Sequence, residues 1–163
     1  MAQVRRETAN NCLQTSRSGG PGPRTLARMW SQRGHVDYSL QRRATLTALF
    51  QGGATTTDVC DADPYLLRAA KHHGEPTERD CPVCRKEQLT HVTYVFGDEL
   101  GPYSGRIRAT RELEPMAREY GEFRVYVVEV CQACSWNHLV SSYVLGDGVP
   151  RTPARRRRRA AEE

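Results

Sequence analysis

The sequence predicts an α+β protein, with a helical N-terminal module followed by a β-ribbon built on four cysteines. Three observations carry this expectation. Cys81-Pro82-Val83-Cys84 and Cys131-Gln132-Ala133-Cys134 are two CxxC motifs 46 residues apart. Runs rich in β-branched and aromatic residues flank them, HVTYVF at 91–96, EFRVYVVEV at 122–130 and WNHLVSSYVL at 136–145. Upstream, apolar residues recur at helical spacing and are punctuated by glycines. A CxxC turn aims two thiolates to one side of a tight loop, and two such turns can surround a tetrahedral Zn²⁺. The fold class is therefore a helix-turn-helix-like module joined to a four-cysteine zinc ribbon.

The helical module is placed at residues 36–78. VDYSLQRRATLTALF (36–50) carries Val36, Leu40, Leu46, Leu49 and Phe50 on one stripe, with Arg42 and Arg43 on the wet side. Gly52 and Gly53 stop it. Thr57 is the expected N-cap of a short turn through Cys60. Asp63-Pro64 opens a third helix, whose apolar face is Tyr65, Leu66, Leu67, Ala69 and Ala70. Lys71, His72 and His73 suit its C-terminal dipole, before Gly74. Asp58, Asp61 and Asp63 precede this helix, so it is poorly suited to a phosphate backbone. Cys60 reads as a small core hydrophobe.

The ribbon is placed at 79–146, with the second CxxC at the tip of a hairpin. Gly97–Gly105 is read as a loop. TRELEPMAREY (110–120) is an amphipathic helix with Leu113, Met116, Ala117 and Tyr120 inward. Pro115 implies a start at Glu114 or a kink. Four metal ligands follow: Cys81, Cys84, Cys131 and Cys134. Four thiolates close the coordination shell, so the zinc is read as structural, with no catalytic residues. A disulfide would need an oxidising compartment. A thioredoxin-type centre wants a CxxC that opens a helix. An iron–sulfur cluster shares the donor set and stays open on spacing alone. His91 and His138 stand near the knuckles as substitutes for a thiolate.

Charge separates the core from the ends. The 163 residues hold 24 Lys plus Arg and 19 Asp plus Glu, a net +5. Residues 1–35 carry six arginines against one glutamate, and 150–163 six against two, so 36–149 is net −4. Residues 1–35 include the Gly/Pro/Ser-rich SRSGGPGPR and are read as a disordered basic arm, with Met29 a second candidate start. Cys12 lies in it. Residues 147–163 are read as a disordered Arg-rich tail. No run of 18 apolar residues and no secretory h-region is present, so the expected compartment is the cytoplasm.

VDYSLQRRATL, DVCDADPYLLRAAKHHG, CPVCRKEQLT and VEVCQACSWNHLVSSYVLG resemble, in order, an uncharacterised actinobacterial family of short cytosolic proteins. The resemblance covers about 36–146, and it implies the boundaries and the metal motif but no activity.

No HExxH, GxSxG or phosphate-cradling glycine loop is present, so a non-enzymatic role is expected. The first expectation is a regulatory or accessory protein docking on the gene-expression machinery or on nucleic acid. Its candidate contacts are Arg85, Lys86, Tyr103, Arg106 and Arg108, with Arg155, Arg156, Arg157, Arg158 and Arg159 in the tail. The alternatives are a protein-interaction adaptor with an acidic core, and a zinc–thiolate redox sensor.

Overall fold

The computed structural model describes residues 32–149. Its centre is a six-stranded antiparallel sheet: β1 (Gln32–Asp37), β2 (Glu75–Asp80), β3 (Gln88–Phe96), β4 (Arg106–Ile107), β5 (Phe123–Val130) and β6 (Asn137–Leu145). The order is β1-β6-β5-β3-β2, and β4 also pairs with β3. The helices are α1 (Ser39–Phe50), α2 (Thr56–Val59), α3 (Pro64–His73) and α4 (Thr110–Tyr120).

Alternation along the central strands sorts the core into two faces. On β3, Val92 faces one way and Leu89, His91, Thr93 and Val95 the other. The first face is covered by α3, which packs Leu66, Leu67, Ala69 and Ala70 on Val92, Val128 and Val130. Asp63 starts α3 as expected, its carboxylate accepting from the Tyr65 N–H at 2.7 Å ahead of Pro64. The second face carries two separate apolar cores. Near the knuckles, Val59, Cys81, Leu89, Cys131 and Trp136 cluster, with Leu46 and Leu49 of α1 against them. At the far end, Leu113, Met116 and Ala117 of α4 pack on Val95, Leu100, Phe123, Val125, Tyr143 and Leu145.

Several expectations change here. The three N-terminal helices form as elements but not as a module of their own. They divide between the two faces of the sheet: α3 packs on Val92, while α1 and Val59 of α2 pack on the Leu89 side. A helix-turn-helix needs its helices packed on one another. The boundary at 35/36 falls inside β1, and that at 78/79 inside β2. Val36 is strand, not helix, and Leu40 and Phe50 are exposed. The ribbon is thus part of a wider sheet, to which β1 and β2 are edge strands. Thr55, not Thr57, caps α2. The Asp58 carboxylate accepts from the Thr55 N–H at 2.8 Å and the Thr55 hydroxyl at 2.6 Å. The stretch 97–105 holds a 3-10 turn, Asp98–Tyr103, and β4 follows it. Helix α4 starts at Thr110 and runs through Pro115. Its first N–H is accepted by Glu75 at 2.7 Å.

The knuckle-distal end is closed by an obligatory glycine. Gly146 has φ +120°, and a Cβ there would lie 2.0 Å from the Gly121 carbonyl oxygen. Only a hydrogen fits.

Candidate metal centre

Both CxxC motifs sit at hairpin tips. The first joins β2 to β3 and the second joins β5 to β6. Each tip is built alike. Cys81 N–H donates to Glu87 O at 2.9 Å, and Arg85 N–H to Cys81 O at 3.1 Å. Cys131 N–H donates to Trp136 O at 2.8 Å, and Ser135 N–H to Cys131 O at 3.0 Å. Arg85 and Ser135, each directly after its second cysteine, have φ of +53° and +63°. These left-handed residues turn the chain so that backbone N–H groups aim at sulfur. Lys86 N–H supports the Cys84 sulfur and Trp136 N–H the Cys134 sulfur.

The sheet brings the tips together, because β3 pairs with β5 from Thr90↔Val130 onward. The ligand atoms of Cys81, Cys84, Cys131 and Cys134 all lie within 4.8 Å of one another. Cys81 Sγ is 3.6 Å from Cys134 Sγ, and Cys84 Sγ is 3.7 Å from Cys131 Sγ. A tetrahedron with metal–sulfur bonds of about 2.3 Å has edges of about 3.8 Å. The sulfurs are therefore spaced for a shared metal ion and not for disulfides, which need about 2.05 Å. Cys81 and Cys131 are buried, while Cys84 and Cys134 are half-buried. The Lys86 N–H pulls the Cys84 thiol down to about 7. Burial pushes Cys131 up to about 11 and raises Cys134 also. A cation that replaces the protons would relieve this crowding of sulfurs.

Cys60, read from sequence as a core hydrophobe, packs beside the cluster and against Cys134. It is not one of the four gathered donors. The only signal for it in the sequence was its placement on the short helix before Asp63. His91 and His138 do not join the sulfurs either; both lie down the sheet, on β3 and β6.

The other candidates are scattered. Arg85 and Lys86 are exposed at the first tip. Arg106 donates from Nε to Pro102 O at 3.0 Å. The Arg108 guanidinium lies 5.3 Å from the centre of the Tyr103 ring, and its Nε is buried without a partner. Tyr103 also meets Tyr120 edge-on. Tyr103 and Arg108 thus pack on each other and on α4 more than they offer a free stacking platform. Arg155, Arg156, Arg157, Arg158, Arg159 and Cys12 lie outside the described residues.

One buried acid escaped the sequence reading. Glu129 has no exposed surface. Its Oε1 accepts from Arg42 Nε of α1 at 2.6 Å and from Trp136 Nε1 at 2.9 Å. Arg42, expected on the wet side of its helix, ties that helix to the knuckle. The available signal was an acid at an inward position of an otherwise apolar strand.

With the centre described, comparison becomes informative. A family of unknown function, DUF5318, matches residues 29–160. The chain belongs to this family. The match is wider at both ends than 36–146. An uncharacterised protein of Mycobacterium bovis, Mb0050, is 55% identical over 120 residues, 74% of this chain and 88% of the relative. The uncharacterised protein Rv0049 of Mycobacterium tuberculosis aligns with the same identity and coverage. No solved structure matches the chain.

Proposed function

We propose that this family member is a non-enzymatic accessory protein, stapled by structural Zn²⁺ at Cys81, Cys84, Cys131 and Cys134, that docks on a protein partner. The supporting observation is the pair of matched hairpin tips, whose sulfurs stand at the edge length of a zinc tetrahedron. Four thiolates leave no position for a reacting water, which favours a structural metal over a catalytic one. Structural zinc contributes on the order of 10–16 kcal/mol of apparent binding energy, comparable to the net stability of a whole domain.

Charge favours protein over nucleic acid as the partner. Residues 36–149 are net −4, and Zn²⁺ with four thiolates adds −2. Such a body repels phosphates and attracts a basic protein surface. The gene-expression machinery as the source of that surface rests on the analogy of zinc ribbons in transcription and translation factors. A cytoplasmic setting goes with reduced thiols. Among the described residues no helix is long and apolar enough to cross a membrane.

Affinity purification from cells, with and without nuclease, tests the docking. A stoichiometric partner retained after nuclease is expected. Loss of every partner on nuclease treatment, with salt-sensitive RNA or DNA binding in vitro, would transfer the role to nucleic acid through Arg85 and Lys86. A redox reading draws on Cys60 beside Cys134. Peroxide would oxidise this thiol pair to a disulfide, yielding two waters and releasing zinc, and zinc release at low micromolar peroxide would favour it.

A further inference from the structure

The knuckle-distal end of the first face is left open. Helix α3 packs on Val92, Val128 and Val130, nearer the knuckles. Beyond it, Phe96 pairs with Arg124 and Arg124 with Val144, a row across three strands on that face. A groove of about 400 Å³ runs over this row, and none of the helices α1–α4 lines it. Its apolar lining includes Phe96 and Val149, 45% and 52% exposed, so two large apolar side chains lack a cover in one place. Its charged lining is Asp98, Glu99, Glu122 and Arg124. Glu122 is already bridged by Arg33 of β1. Asp98 and Glu99 are exposed and have no ion-pair partner among the described residues.

The chain itself supplies a fitting occupant. Val149, the last described residue, is part of the groove's wall, so the C-terminal segment starts from inside it. That segment, PRTPARRRRRAAEE, carries six arginines against two glutamates. Arg151 is two residues past Val149, at most about 7 Å of chain, and Arg155 is six residues past, at most about 22 Å. The family match extends to residue 160, so the arginine run lies within the span of the family. We propose that the groove is the docking site of this chain's own C-terminal segment, with Arg151 and the arginines from Arg155 onward set against Asp98 and Glu99. A single exposed ion pair is worth little, but the covalent tether raises the effective concentration and several arginines share the two acids. Docked there, the arginines are withheld from phosphate-bearing partners. This contact uses neither the metal nor the protein partner invoked above.

Trypsin sensitivity of the full chain tests the docking. Cleavage after Arg155 to Arg159 is followed by mass spectrometry at low and at high salt. At low salt the wild-type tail should be cut about threefold more slowly than that of the double variant Asp98→Asn, Glu99→Gln, and high salt should erase the difference. A second double variant, Glu78→Gln, Glu87→Gln, removes the same charge from exposed positions near the first tip and should keep the protection. Matching circular dichroism of the three chains reports that the fold is intact. Equal cleavage of wild type and groove variant overturns the docking. Equal loss of protection in the two double variants overturns it too, because the overall charge of the body then holds the tail. Protection that rises with chain concentration also overturns it, because the arginines then sit in the groove of a second copy.

Discussion

The two ends of the sheet's second face are held by different means. At the knuckle-distal end, Phe123, Val125, Tyr143 and Leu145 meet Leu113, Met116 and Ala117 of α4 in a core of buried apolar side chains. At the knuckle end the core is Val59, Leu89 and Trp136 around two buried cysteines. Helix α1, which lies over it, buries none of its residues fully. A large apolar side chain contributes about 1.5–3 kcal/mol on burial, so the far end accumulates stability that the knuckle end lacks. In the proposed reading, a metal at the sulfurs supplies the difference. One hydrophobic sheet can thus be self-sufficient at one end and metal-dependent at the other.

Substitutions at the two ends should separate these mechanisms. Cys81→Ser or Cys134→Ser should have the largest effect: loss of the zinc equivalent and unfolding of both hairpin tips, read by metal analysis and hydrogen exchange. Phe123→Ala should destabilise by about 3–5 kcal/mol through the cavity it leaves. The zinc content of the folded fraction should not change. Denaturant unfolding with metal analysis checks both. Arg42→Ala strands the Glu129 carboxylate and releases α1, at a cost of about 2–4 kcal/mol. Exchange protection should fall in α1 and at the second tip, but not in α4. Cys60→Ser should move stability least, about 1 kcal/mol or less, with the metal retained. Loss of zinc in that variant would make Cys60 a ligand in place of one of the four cysteines and break the symmetry of the two tips.

Legibility from sequence followed the strength of the local signal. The knuckles were readable because CxxC spacing is chemistry. So were β5 and β6, whose apolar runs enter and leave the second tip, and α3, whose Asp63-Pro64 start is a local cap. Strands β1 and β2 were not readable. QRGHVD and EPTERD are polar and mostly exposed, and Pro76 suits only an edge. They are strands because β6 and β3 offer them open edges, a tertiary cause with no local signature. For α1 the helix was legible but its anchoring was not. Its stripe suggested a buried face, yet its firmest anchor is Arg42 on Glu129, a contact 87 residues away in sequence. The Thr55–Asp58 capping box was written in the sequence, but the neighbouring threonines obscured it. The Tyr103–Arg108 loop looked like a stacking site. Tyr103 and Arg108 instead pack on each other, and Arg106 donates to Pro102 O.

The most direct test of the two-ended account is hydrogen exchange on the zinc-loaded chain before and after chelation. Amides at 81–87 and 131–136, together with α1, should lose protection, while β5 around Val125 and helix α4 keep theirs. Uniform loss over the whole sheet, or no loss at the tips, would contradict the claim that a metal at the four cysteines staples one end of a sheet whose other end stands alone.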